Sequence, residues 1–103
     1  MKPFIVKLSP KGKHQEILNG PPKTKGFYSG LVTLKPGAQV HPHSTKHFEE
    51  VLVVFQGKGK AFCQGHRCLN IAKGNIVYIP PHTKHHILNT GKAILRYLYL
   101  VKA

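Results

Sequence analysis

The sequence predicts an all-β fold, a jelly-roll β-barrel of antiparallel strands, on three observations. β-Branched and aromatic residues are grouped in short runs, as strands require. Glycine, proline or asparagine closes each run at intervals of about eight to fifteen residues, a rhythm typical of sandwiches and barrels. No helical stretch of about ten residues fits between these breaks. Antiparallel sheets must also protect their edge strands, and rolling the sheets up protects them.

The predicted strands follow one another along the chain, each closed by a turn signal. They cover residues 4–8, 26–34, 50–55, 60–63, 68–71, 75–79, 85–88 and 93–101. Residues 9–25 are rich in lysine, proline and glycine and are the least regular segment, with one short strand expected at 14–18. The last strand is apolar on both faces apart from Arg96. One face would fill the barrel and the other needs a cover, which predicts a homodimer.

Length and composition predict a single domain over residues 1–103, large enough to bury a core without disulfides. The chain is 41% hydrophobic and 18% charged, as in globular soluble proteins. No apolar run approaches the roughly eighteen residues of a membrane span. The first residues lack the cleavage site of a secretory signal, so we expect a cytoplasmic protein.

Two cysteines, Cys63 and Cys68, flank a possible two-residue turn at Gly65 and His66. Such a turn would set them opposite each other across a hairpin. They could close a short disulfide, but two buried thiols are the more common arrangement in a reducing cytosol.

The net charge is strongly positive, +13, from 16 Lys+Arg against 3 Asp+Glu. The lysines are spread along the chain, often beside glycine or proline, and do not form one basic arm. Nucleic-acid surfaces more often concentrate Lys and Arg on one face with interleaved aromatics. Solvated turn lysines are therefore the first interpretation, and attraction for anionic substrates or RNA is the second.

Most of the histidines are grouped around the acids and a Pro-Pro turn. Two of the three carboxylates, Glu49 and Glu50, directly follow one histidine group, and the other group follows Pro80-Pro81. Divalent cations bind neutral imidazoles together with an anionic oxygen, so the pattern predicts a metal site built from two strands. The grouped histidines are His41, His43, His47, His82, His85 and His86.

Two motifs resemble those of the cupin superfamily. Residues 37–57 resemble the first motif, with His43 and Glu50 in register and Thr45 where that motif has its second histidine. Residues 74–89 resemble the second motif, with His85 in register and His82 where the family usually has glycine. The segment between them, 58–73, is short, as in small single-domain cupins of the conserved-barrel (cupin 2) type.

This resemblance implies a barrel that holds a metal through His43, Glu50 and His85. Thr45 departs from the pattern, because a hydroxyl is a poor ligand for a transition metal. Strand alternation puts His41 on the same face as His43, and His47 lies in the turn before Glu49, so either could be a fourth ligand. Such a set suits Fe, Mn, Zn, Ni or Co, and its identity stays open. By the same alternation, Glu49 and His86 should face outward.

Three functions remain open from the sequence. The first is a metal-dependent enzyme, dioxygenase-, isomerase- or decarboxylase-like, acting on a small metabolite that the net charge favours as an anion. The second is a cupin that binds a metal or small ligand without turnover, as a sensor or store. The third is a charge-driven, nucleic-acid-associated barrel. General acid or base work in the first case would fall to His41, His47, Tyr78 or a metal-bound water.

Overall fold

The structure, a computed structural model, describes residues 1–103. It contains nine strands and no helix; accordingly, no helix has the length and apolar character to cross a membrane. The strands are β1 (His14–Asn19), β2 (Phe27–Leu34), β3 (His43–Ser44), β4 (Glu49–Gln56), β5 (Lys58–Cys63), β6 (Leu69–Ala72), β7 (Ile76–Ile79), β8 (Lys84–Leu88) and β9 (Leu95–Lys102).

The strands form two antiparallel sheets that enclose one core. The first sheet has five strands in the order β1-β2-β9-β4-β7, and the second has four in the order β3-β8-β5-β6. Both sheets contribute to a cluster of 11 buried residues, among them Leu34, Leu52, Ile71, Ile87 and Leu95. The predicted all-β jelly-roll barrel is confirmed.

Alternation along two strands decides which side chains face the interior. In β4, Glu50, Leu52 and Val54 are buried, while Glu49 is exposed. In β8, His85 and Ile87 are buried between more exposed neighbours. Because successive side chains of a strand point to opposite faces, the apolar residues that fill the core also fix the inward direction of Glu50 and His85.

The turn between β4 and β5 requires glycine. Gly57 has a φ of 81°, in the left-handed region that favours this residue. A Cβ there would also meet the carbonyl oxygen of Ile94 at 2.2 Å. The glycine therefore lets β5 leave β4 sharply and cross to the second sheet.

The N-terminal apolar run does not form the predicted strand at 4–8. Residues 1–9 lie in no strand, and side chains hold their backbone instead. Gln15 Nε2 donates to Lys7 O at 2.9 Å, Ser9 N donates to Gln15 Oε1 at 2.6 Å, and Arg96 donates to Ser9 O at 3.0 Å. These bonds satisfy backbone groups that a ladder would otherwise use.

The two cysteines do not face each other across a tight hairpin. The pairing of β5 with β6 ends at Ala61 and Leu69, and Cys63 is in register with His85 of β8. Cys68 lies outside the strands, and both thiols are free. The predicted two-residue turn at Gly65 and His66 is wrong: His66 N donates to Cys63 O at 3.0 Å and closes a turn over Gln64 and Gly65 instead.

Candidate metal centre

Three of the predicted ligands converge at a cavity between the sheets. The cavity has a volume of about 600 Å³. His43, Glu50 and His85 each present one ligand atom, and these atoms lie within 4.8 Å of one another. His43 and His85 are cross-strand partners in β3 and β8, whereas Glu50 comes from β4 in the other sheet. The site therefore forms only when the two sheets pack together.

Backbone carbonyls fix the tautomer of both histidines. His85 Nδ1 lies 3.0 Å from Thr83 O, and His43 Nδ1 lies 3.1 Å from His41 O. A carbonyl only accepts, so each Nδ1 carries the proton and each Nε2 of a neutral ring keeps a free lone pair. Metal-binding histidines are commonly oriented in this way by a carbonyl partner on the other ring nitrogen.

The inner end of the site contains a buried nitrogen without a well-aligned partner. His85 is 2% exposed and Glu50 is 6% exposed. His85 Nε2 lies 3.2 Å from Glu50 Oε1 but makes no hydrogen bond of good geometry. Native interiors rarely leave such an atom unpaired. A cation between the imidazole and the carboxylate would satisfy both groups, so the residues present fit a divalent metal.

Opposing effects act on the protonation of His85. Burial lowers its pKa, whereas the contacts with Glu50 and with the Thr83 carbonyl raise it, and the net direction is upward. The close carboxylate is the decisive partner, because its attraction at 3.2 Å does not depend on the alignment of an N–H. A proton on His85 therefore competes with any metal for Nε2.

Thr45, at the position of the family's second histidine, holds two backbone segments together through hydrogen bonds. It is buried, and its Oγ1 donates to Pro80 O at 2.7 Å and accepts from Thr83 N at 3.1 Å. These bonds tie the start of the β3–β4 connection to the segment that leads into β8. Nearby, His82 has a φ of 55°, which explains why glycine suits that position in the second motif.

The proposed fourth ligands lie outside the convergent group. His41 is exposed and lines the cavity, and its carbonyl accepts from His43. His47 does not line the cavity and packs edge-on against Phe48. Whether either histidine binds a metal stays a prediction, and its place in the cavity wall makes His41 the better candidate.

Two other candidates face away from the cavity. Tyr78 is 52% exposed and hydrogen-bonds the outward-facing Glu49. The bond to this carboxylate is the main cause that raises the pKa of Tyr78. Tyr78 is therefore not placed to exchange protons inside the cavity. His86 is half-buried and stacks on Phe62.

The sequence did not identify two polar residues of the cavity wall. His14 of β1 and Tyr99 of β9 both line the cavity, and His14 Nε2 lies 2.7 Å from Tyr99 Oη. Burial, and then the charges of Glu50 and Glu16, raise the pKa of Tyr99. Tyr97, Tyr99 and Val101 alternate along the sequence of β9 and therefore share one face, but no local signal connects that face with β1.

Comparisons with known proteins identify the family of this chain. The profile of a family described as "Cupin domain" matches residues 30–101. An uncharacterized protein of Methanocaldococcus jannaschii is 28% identical over 101 residues, which are 95% of this chain and 77% of that protein.

Solved structures show the same architecture. A predicted oxalate decarboxylase of Thermotoga maritima has a TM-score of 0.79 at 21% identity, over 86% of this chain and 77% of that one. An RmlC-like cupin family protein of Methanocaldococcus jannaschii, with a double-stranded β-helix fold, has a TM-score of 0.76 at 23% identity. That match covers 100% of this chain and 92% of the other. At such identities these two likenesses establish a shared fold.

Proposed function

This chain belongs to the cupin family, and from that premise we propose that it is a metal-dependent enzyme acting on a small molecule in its cavity. His43, Glu50 and His85 are the proposed ligands of one divalent transition metal. The observation that carries the proposal is the convergence of these three ligand atoms within 4.8 Å of one another. The unpaired Nε2 of His85 supports it, because this buried nitrogen lies 3.2 Å from a carboxylate oxygen without a hydrogen bond to it.

The ligand set and the cavity together favour catalysis. A metal held by two imidazoles and one carboxylate would supply Lewis-acid or oxygen chemistry of the kind found in decarboxylases, isomerases and dioxygenases. Apolar side chains such as Val32, Val40 and Ile87 line the rest of the cavity and would exclude water from a bound substrate. The likeness to a predicted oxalate decarboxylase supports a small carboxylic acid as substrate.

Elemental analysis of protein purified from its own host tests the metal first. We expect close to one equivalent of a transition metal per chain in the wild type, and loss of that metal in His85→Ala. His86→Ala is the matched control, since the adjacent imidazole stacks on Phe62 outside the cavity and should leave the metal in place. A wild type without metal, or an unchanged metal content in His85→Ala, would contradict the ligand assignment.

A panel of small organic acids then tests turnover. The metal-loaded wild type should consume at least one of them, and the metal-free protein should consume none. A metal-loaded protein that binds ligands without turnover would favour the alternative, a sensor or storage cupin. Thr45 supports that alternative, because it occupies the position where the family pattern has a further histidine.

The nucleic-acid alternative rests on net charge alone. The formal charge is +13, and affinity for RNA or DNA would fall steeply as salt rises, because neutralised phosphates release counterions. Filter binding at low and at physiological salt separates it from the metal enzyme. Binding of RNA or DNA that is clear at low salt and falls steeply at physiological salt would support this charge-driven alternative, and no binding at low salt would exclude it.

We also propose a cytoplasmic homodimer. The two free thiols support a reducing compartment, where disulfides are rare. The dimer is supported by the outer face of the five-stranded sheet, where Val53 and Ile76 are exposed beside the half-buried Leu98 and Leu100. A second copy would remove this apolar surface from water.

A further inference from the structure

The cavity has a second polar region that the metal ligands do not use. His14, Tyr99 and Lys13 lie in its wall and do not belong to the group of three converging ligand atoms. His14 is the first residue of β1 and Lys13 directly precedes it, whereas Glu50 lies in β4. Two strands, β2 and β9, separate β1 from β4 in the five-stranded sheet.

Gly30 leaves space in the five-stranded sheet for the ring of Tyr99. Tyr99 of β9 is the cross-strand partner of Gly30 in β2, which separates β9 from β1. A Cβ on Gly30 would meet Tyr99 Oη at 2.4 Å. The tyrosine ring therefore extends across the bare backbone of Gly30, and its hydroxyl reaches His14 on the far side.

The hydroxyl of Tyr99 is placed to donate. Burial and the nearby carboxylates raise its pKa, so it keeps its proton at neutral pH. Its oxygen lies 2.7 Å from His14 Nε2 and the two rings are stacked. When His14 donates to the tyrosine oxygen, the tyrosine proton is free to point into the cavity, and the two hydrogen bonds reinforce each other.

The cation of this region lies at the rim. Lys13 Nζ donates to Gln39 O at 3.2 Å, across from β1 to the segment that pairs with β8. Its partner is a neutral carbonyl and the side chain is exposed, so an anion can replace the carbonyl at small cost. Lys13 is the only lysine or arginine in the cavity wall, and Glu50 is the only acid there.

We propose that Lys13, His14 and Tyr99 form an oxyanion-binding site that holds a carboxylate or phosphate group of the ligand. The inference deepens the proposed function, on which it rests for the role of the metal end. The ligand then has two polar ends joined by a short apolar part, one end toward His43, Glu50 and His85 and the other toward β1. The apolar residues of the same cavity wall suit the middle part.

Titration of the metal-free protein tests the site without the metal end. Inorganic phosphate and malonate are added separately while NMR follows the His14 ring and the Tyr99 ring. We expect saturable shifts of both rings with at least one probe, and the tighter of the two identifies the preferred oxyanion. Tyr99→Phe should weaken binding about tenfold or more, since it removes a bond to a charged group. His14→Gln should also weaken it, since it removes the partner that orients the Tyr99 hydroxyl.

Matched variants separate the site from general attraction. Lys13→Gln should weaken binding about two- to fivefold, whereas Lys73→Gln, the same charge change outside the cavity wall, should change it less than about twofold. Tyr78→Phe on the outer face should have no effect. Equal losses in Lys13→Gln and Lys73→Gln, or no saturable shift of His14 with either anion, would overturn the inference.

Metal analysis of the same variants distinguishes this inference from the proposed function. Tyr99→Phe and His14→Gln should retain the wild-type metal content, because neither side chain belongs to the converging group. If the wild type lacks metal but still binds an anion at His14, the proposed function fails and the oxyanion site stands. If metal binds normally and the anions leave His14 unshifted, the oxyanion site alone fails.

Discussion

Replacing Glu50 with glutamine should abolish the stabilisation of this protein by metal. The substitution keeps the shape of the side chain and removes the charge that faces His85 Nε2 at 3.2 Å. Glu50 is 6% exposed, so water cannot take the place of the lost carboxylate. Even partners outside the ligand shell change metal affinity about 10- to 100-fold, and a direct anionic ligand should contribute at least the upper value.

The size of the effect follows from mass action. At a metal concentration 100 times Kd, binding stabilises the wild type by about 2.7 kcal/mol. For a chain of this length each kcal/mol shifts Tm by about 4 °C, so metal should raise Tm by roughly 11 °C. If the variant binds 100-fold more weakly, the same metal concentration stabilises it by only about 0.4 kcal/mol, a shift of less than about 2 °C.

Thermal unfolding followed by circular dichroism, with and without added metal, measures both shifts. Glu49→Gln is the matched control: it removes the neighbouring carboxylate, which is exposed and bonded to Tyr78. This control should keep the full metal-dependent shift. The reasoning is refuted if Glu50→Gln keeps it as well, or if the two variants lose it equally.

Three further outcomes are expected. The pKa of His85 is raised above 6.5, so its pairing with Glu50 should make the metal-free wild type more stable than Glu50→Gln below about pH 6.5. Urea titrations should show that this difference in stability disappears as pH rises through the folded-state pKa. Thr45→Val should lower the free energy of unfolding by about 1–3 kcal/mol and lower metal affinity, because Thr83 N and Pro80 O lose a buried partner. Thr90→Val, at an exposed position, should change neither quantity. Sedimentation should show a dimer that tightens as salt screens the charge of +13 per chain, and a monomer at micromolar concentration under all salts would contradict the apolar interface.

The direction of Glu50 and His85 could be predicted because it follows from period-two alternation. Each lies in a strand whose other inward positions are Leu52, Val54 or Ile87, which belong in the core. A slip of one residue would expose all of them together. The strand register that buries the apolar residues therefore also orients Glu50 and His85 inward, and the alternating sequence pattern indicates that register.

Features decided by long-range contacts could not be predicted. The run 4–8 has strand propensity, but Gln15 and Arg96 bind the backbone of the N-terminal segment. β3 has only two residues and exists because His43 is in register with His85. The contact of His14 with Tyr99 joins residues 85 positions apart in the sequence. It depends on Gly30, and a glycine within a strand indicates by itself only a weaker strand.

The threonine at position 45 changes the kind of metal site that this barrel can hold. Its hydroxyl is committed to Pro80 and Thr83, and three candidate ligand groups converge at the site. A structural site, such as that of zinc, closes its coordination with four protein ligands. A site with two histidines and one carboxylate leaves several positions for substrate or water. The departure that supports a sensor or storage role therefore remains compatible with catalysis, because fewer protein ligands leave more of the ion available for reaction.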